Sequence, residues 1–299
     1  MQDYHLHLWT HEDPSTWLVI DQLAEYCEEA QSHGVTEIAI TEHLSRFTRT
    51  RDLVGPIWND NDDSPALKHS MEQYFDFHAR GDLDAYVELV LEAKRQGLPI
   101  KLGMEVDYMR GKMDAVAEML ADYPFDVLLG SVHWMGSWMF DVVEEPVHLD
   151  EWDRRTTEQA WDAYVECMEE LAATRTCDVL AHPDVIKIAG RIPDAPEEWW
   201  DRIAEAAESS GMAAEVNSSG WRKPIGEQYP NEHLLTRFLD RGVAITTASD
   251  AHRLQHVSFR MEDVASLLDA HDVHQLASFD GRQRSMIERS AGGHHGHTG

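Results

Sequence analysis

The feature that most constrains this chain is an alternation. Short apolar, β-branched runs recur at residues 2–8, 35–41, 99–106, 125–132, 178–182, 212–217 and 243–248. Longer amphipathic, helix-forming stretches occupy 17–33, 81–97, 111–122, 155–175, 196–210 and 231–241. Gly34, Gly97, Gly211 and Gly242 stand where a helix C-terminus takes a left-handed residue before the next strand. Apolar strands separated by helices build a parallel sheet that is covered on both faces. Seven such units predict a single α/β domain over residues 1–290, a seven-stranded (β/α) barrel of TIM-barrel-like type. An open sheet is the alternative that pattern alone leaves standing.

Two segments break the alternation. Residues 44–77 are rich in charge and turn residues, and residues 134–152 read WMGSWMFDVVEEPVHLDEW. Each follows a strand, so each is expected to be an elaborated loop over the C-terminal face, where long loops tend to carry function. Residues 291–299, ending in GGHHGHTG, read as a Gly/His-rich disordered tail outside the barrel.

Composition excludes several classes. The 299 residues include 55 Asp and Glu against 25 Lys and Arg, a formal charge of −30. With the acids spread along the chain there is no basic stripe to neutralise phosphates, so neither nucleic acid nor an anionic membrane surface is an expected partner. Cys27, Cys167 and Cys177 form no CxxC, which argues against a disulfide framework or a thiolate metal site. The first residues are polar and no apolar run approaches the length of a membrane span, so a cytoplasmic protein is expected.

Ligand-type residues gather at the strand ends. His5 and His7 lie two apart in DYHLHL, a spacing that turns both rings to one side of a strand. His43 ends the second run, Glu105 and Asp107 the third, His133 the fourth and His182 the fifth; Asp250 and His252 follow the seventh. Taken singly, a strand-end histidine is commonly a hydrogen-bonded scaffold residue, and a strand-end Asp commonly caps the next helix. Taken together, their convergence on the C-terminal face of a barrel is the donor set of a divalent-metal site. Mixed imidazole and carboxylate ligation suits Zn, Mn or Fe.

The motifs HxH (5–7), TEH (41–43), GMEVD (103–107), GSVH (130–133), AHPD (181–184) and SDAH (249–252) resemble, in order, those of the PHP (polymerase and histidinol phosphatase) superfamily. Within it, GSVHWMGSWMFD, AHPDVIKIAG and EVNSSGWRKPIGEQYPN resemble the monofunctional histidinol-phosphatases. The resemblance implies a distorted seven-stranded barrel with two or three divalent ions at the C-terminal face. Carried onto this chain, it implies a first ion on His5, His7, Glu105 and Asp250, and a second on the bridging Glu105 with His133 and His182. A third would use His43 and His252 with His11, or with Glu12 or Asp13 in place of His11. The implied reaction is hydrolysis of L-histidinol phosphate by a metal-bridging hydroxide. Glu105, Asp250 and His252 carry the catalytic assignment, and Asp250 or a water is the candidate proton donor to the leaving group. A different small phosphate ester such as a nucleotide, a non-catalytic metal-binding barrel and a metal-dependent amidohydrolase are the competing readings.

Phosphate also attracts cations. Arg222, after the sixth run, and Arg191 or Lys187, after the fifth, are the expected phosphate contacts in a chain short of basic residues. Asn217 is expected to orient the substrate, and Asp141 to bind a substrate ammonium.

Overall fold

The seven runs form strands β1 (Gln2–Leu6), β2 (Glu37–Ile40), β3 (Ile100–Asp107), β4 (Val127–Ser131), β5 (Val179–Leu180), β6 (Ala213–Asn217) and β7 (Ile245–Ala248). The structure is a computed structural model and describes residues 1–289. The strands pair in chain order, and every pair is parallel. The two edges of the sheet meet. His7 N–H donates to the Ala251 carbonyl at 2.8 Å, the Thr247 hydroxyl donates to the Gln2 carbonyl at 2.6 Å, and Leu6 bridges Ala251. The sheet is therefore a nearly closed barrel, and the open-sheet alternative falls.

Among the described residues ten α-helices surround it: α1 (Ile20–Ser32), α2 (Thr48–Val54), α3 (Pro65–His78), α4 (Leu83–Arg95), α5 (Met113–Leu120), α6 (Pro146–Arg154), α7 (Thr157–Thr174), α8 (Glu197–Ser210), α9 (Glu232–Asp240) and α10 (Met261–Ala270). Their local chemistry is typical of well-formed helices. Thr156 and Gln159 form a reciprocal capping box at the start of α7, which buries Trp161, Tyr164, Val165, Met168 and Leu171 along one stripe. Alternation along β3 sends Leu102, Met104 and Val106 outward to the helices and leaves Gly103, Glu105 and Asp107 facing in. A Cβ at Gly103 would stand 2.5 Å from Thr41 Cγ2, so only glycine lets β2 and β3 approach there.

The barrel's lower interior is a separate apolar cluster of Tyr4, Ala39, Val127, Leu129, Val179 and Ala213. Ala277 and Phe279 complete it from below. They belong to an antiparallel hairpin, β8 (Gln275–Asp280) with β9 (Gln283–Glu288), that closes the N-terminal mouth. Tyr4 Oη meets Ser278 Oγ at 3.1 Å, and Lys101 Nζ reaches Asp280 at 3.2 Å. Residues 257–288 thus form a helix and the hairpin.

Both segments that break the alternation are structured. Residues 44–77 hold α2 and α3, and α3 buries Leu67, Met71, Phe75 and His78 along one face. The turn-rich stretch Gly55–Ser64 ahead of it masked that periodicity. Residues 134–152 form a two-residue-stranded hairpin, Trp134–Met135 with Trp138–Met139, followed by α6. Among the described residues no helix is long and apolar enough to cross a membrane. The tail assigned to residues 291–299 lies outside the described residues.

Candidate metal centre

Glu105 occupies the middle of the C-terminal face. One carboxylate oxygen lies 3.0 Å from His182 Nε2 and 3.4 Å from His133 Nε2. The other lies 3.3 Å from His5 Nε2, 3.6 Å from His7 Nε2 and 2.7 Å from His43 Nδ1. Asp250 closes the other side, 3.3 Å from His7 Nε2 and 3.9 Å from His5 Nε2. His133 and His182 bring their Nε2 atoms within 3.3 Å of each other, and His43 and His252 do the same. A register shift in β1 between Asp3 and Leu6 makes this possible, because Tyr4 enters the lower core while its neighbour His5 still reaches Glu105.

The donors fit a cation. His5 Nε2, both ring nitrogens of His7, His43 Nδ1 and one oxygen of Glu105 are buried without an aligned hydrogen-bond partner. Buried acceptors left facing one another are costly unless a positive charge lies among them. Close donor groups are His5–His7–Asp250, His5–Glu105–His182, His7–His43–His252 and His43–Asp107–His133, each within 4.8 Å. The structure thus brings together every expected ligand except His11 and its alternatives Glu12 and Asp13, none of which joins such a group among the described residues; Glu12 pairs with Arg253 and Asp13 accepts the Thr10 N–H.

Three carboxylates behind the rings were not anticipated as a set. Glu215 lies 3.1 Å from His5 Nδ1 and accepts the His182 backbone N–H at 2.8 Å. Glu42 lies 3.4 Å from His7 Nδ1 and accepts the Leu8 N–H at 2.8 Å. Asp107 lies 2.8 Å from His133 Nδ1 and accepts the Ser45 N–H at 3.1 Å. A carboxylate there accepts Nδ1–H and turns the Nε2 lone pair inward, the usual support of a ligating imidazole. The sequence did carry a signal for two of them: Glu42 sits inside TEH, and Glu215 shares a face of its strand with Asn217.

Proton affinities alternate across the site. Burial disfavours charge on His5, yet Glu215, Glu105 and Asp250 hold it well above the ordinary imidazole range. His133 is likewise pushed up to about 10, against burial, by Glu105, Asp107 and Asp141. Burial works against ionised Glu105 and Asp250, and the surrounding imidazoles overcome it and hold both well below the carboxylate range. His252, buried among His7, His11 and His43, is held well below its ordinary value.

Above the donors opens a cavity of ≈ 600 Å³. Tyr74 and His78 of α3 and Met139 and Asp141 of the inserted segments wall it, so those segments do cover the C-terminal face. The expected phosphate contacts are placed otherwise. Lys187 is fully buried and held by Glu227 at 2.7 Å, the Gln228 carbonyl at 2.7 Å and Asp184 at 2.9 Å. Arg191 pairs outside the cavity with Asp153 at 2.5 Å and the Trp152 carbonyl at 3.0 Å. Arg222 spends Nη2 on the carbonyls of Ser249 and Asp250, both at 2.9 Å, supporting Asp250 in a left-handed conformation at φ 51°. Asn217 is buried, donating to Glu215 at 2.6 Å and accepting the Ser219 N–H at 2.8 Å. Asp141 does line the cavity, where burial raises its pKa. The one Lys or Arg on the cavity wall among the described residues is Lys223, the neighbour of the expected Arg222.

A near-closed parallel barrel of seven strands, with imidazoles and carboxylates converging at the C-terminal strand ends, defines a PHP-type domain. The chain belongs to this family: the PHP domain profile matches residues 5–219. Its relatives include the "Probable histidinol-phosphatase" of Deinococcus radiodurans, 27% identical over 80% of this chain and 83% of that protein. The "Histidinol-phosphatase" of Lactococcus lactis is 22% identical over 96% of this chain and 97% of that one. In fold, the crystal structure of the Lactococcus lactis histidinol phosphate phosphatase, complexed with Zn, L-histidinol and phosphate, matches with a TM-score of 0.69 and 21% identity. It covers 95% of this chain and 98% of that one.

Proposed function

We propose that the protein is a metal-dependent phosphomonoesterase that converts L-histidinol phosphate and water to L-histidinol and phosphate. The observation that carries this reading is the convergence of five imidazoles and Asp250 on Glu105 beneath a cavity sized for a small molecule, in a chain whose PHP relatives are named histidinol-phosphatases.

His5, His7, Glu105 and Asp250 would hold one divalent ion, and Glu105, His133 and His182 a second. His43 and His252 offer donors for a third, and Zn, Mn and Fe all suit the set. When bound, such ions neutralise phosphoryl oxygens and make water acidic enough to attack near neutral pH. The protein's part is positioning. Glu215 and Asp107 lock the tautomers of His5 and His133, and Glu42 stands 3.4 Å behind His7 Nδ1. Lys223 offers an ammonium to the phosphate, and Asp141, half-buried on the wall, meets the substrate's ammonium. Asp250 and His252 lie 3.5 Å apart at the cavity floor, where their acceptor atoms can orient a water that protonates the leaving alkoxide.

Purified protein supplied with Mn or Zn should release phosphate from L-histidinol phosphate far faster than from p-nitrophenyl phosphate. Equal or absent turnover would overturn the assignment.

A further inference from the structure

We infer that His11 is a hydrogen-bond donor to the substrate's phosphate, presenting Nε2–H to the cavity, and is not a metal ligand. The geometry that carries this lies behind the ring. Arg46 is fully buried and fixed: its Nη1 donates to the Trp9 carbonyl at 2.9 Å and lies 3.5 Å from Glu42. Its Nη2 faces His11 Nδ1 at 3.5 Å. A guanidinium has donors only and keeps its proton in proteins, so Nδ1 must meet it with a lone pair. The ring hydrogen then belongs on Nε2.

His5, His7 and His133 show the opposite arrangement, each with a carboxylate behind Nδ1. A carboxylate behind the ring frees the Nε2 lone pair for a cation, whereas a guanidinium behind it places a hydrogen there. Ligation through His11 Nε2 would require moving that hydrogen to Nδ1, against a buried N–H donor. Donor spacing agrees, since His11 stacks on the His252 ring at 4.2 Å yet joins no close group of ligand atoms among the described residues. His11 is exposed on the cavity wall that also carries Lys223. An N–H and an ammonium on one wall suit an anion's oxygens. The identity of that anion rests on the phosphatase reading; the exclusion of His11 from the metals does not.

The test uses zinc-loaded protein with His11→Leu and His11→Gln, two substitutions at one exposed side chain that should leave the fold intact. Bound zinc per chain is measured after gel filtration, and affinity for inorganic phosphate by calorimetry. Both variants should keep the wild-type zinc count. His11→Leu should bind phosphate roughly tenfold more weakly, and His11→Gln, whose amide N–H can stand in for Nε2–H, should recover most of that loss. A missing zinc ion in both variants would overturn the inference, as would wild-type phosphate affinity in His11→Leu. If wild-type protein fails to hydrolyse L-histidinol phosphate, the proposed function falls, while zinc count and phosphate binding still decide the role of His11.

Discussion

Replacing Glu215 by Gln should weaken metal binding at His5 while leaving the barrel folded. Glu215 is fully buried and only accepts hydrogen bonds. One oxygen takes the His182 N–H at 2.8 Å, Asn217 Nδ2 at 2.6 Å and His5 Nδ1 at 3.1 Å; the other lies 3.2 Å from His5 Nδ1. Gln has nearly the same shape. Its carbonyl must take the crowded position, because an amide N–H there would oppose two donors. The amide nitrogen therefore faces His5 Nδ1 and donates to it. The ring hydrogen moves to Nε2, the atom aimed at Glu105 and Asp250. Ligation then requires either two opposed N–H groups or a lost hydrogen bond to a charged acceptor, about 1.5–3 kcal/mol. That corresponds to roughly 10- to 100-fold in affinity. Zinc competition against a chromophoric chelator measures it, circular dichroism checks the fold, and histidine ¹⁵N shifts report the His5 tautomer. Zinc affinity within about twofold of wild type, in a folded variant, would refute the reasoning.

Lys223→Met should raise KM for L-histidinol phosphate roughly tenfold with little change in kcat; an unchanged KM would remove Lys223 from phosphate binding. Arg222→Ala frees the carbonyls of Ser249 and Asp250, so kcat and zinc occupancy should fall more than KM rises. A pure KM effect would return Arg222 to the phosphate. Phe279→Ala, at a side chain only 2% exposed beneath the barrel, should destabilise the fold by about 3–5 kcal/mol in denaturant titration. A loss below about 1 kcal/mol would mean the hairpin is not a core element. His78 is pushed down to about 4, first by burial and then by Arg46 and His43. The unfolded chain therefore binds the proton first, and the stability His78 contributes is complete above pH ~6.5 and lost as pH falls through about 4. Because the ring borders the open cavity, the effect should be about 2 kcal/mol rather than the full shift. His78→Gln should flatten that part of the stability profile, and an unchanged profile would contradict it.

The barrel was legible because its signals are local. Each strand is an apolar run, each helix has a stripe and a stop, and the hidden helix α3 escaped notice only because turn residues precede it. Ligand-type residues were legible for the same reason, standing at the ends of runs. The cations were misjudged. Whether Lys187 or Arg191 is free to meet a substrate depends on Glu227 and Asp153, 40 and 38 residues away along the chain. Asp184, three residues before Lys187 and 2.9 Å from it, is the one nearby sign of pairing; nothing near Arg191 announces its own. Lys223 was passed over beside Arg222 because a loop's direction is set by the strand it leaves, and here it turns the second cation, not the first, toward the cavity.

By itself, then, the order of residues determined seven strand–helix units and a ring of imidazoles and carboxylates at their ends, since periodicity and strand ends are properties of neighbouring residues. Tertiary structure decided what each ring does. His5 is backed by Glu215, 210 residues distant, and His11 by Arg46, 35 residues distant. Two histidines that look alike in sequence face the cavity with a lone pair in one case and a hydrogen in the other. A tautomer is chosen by the charge behind the ring, and only the closed barrel brings that charge into place.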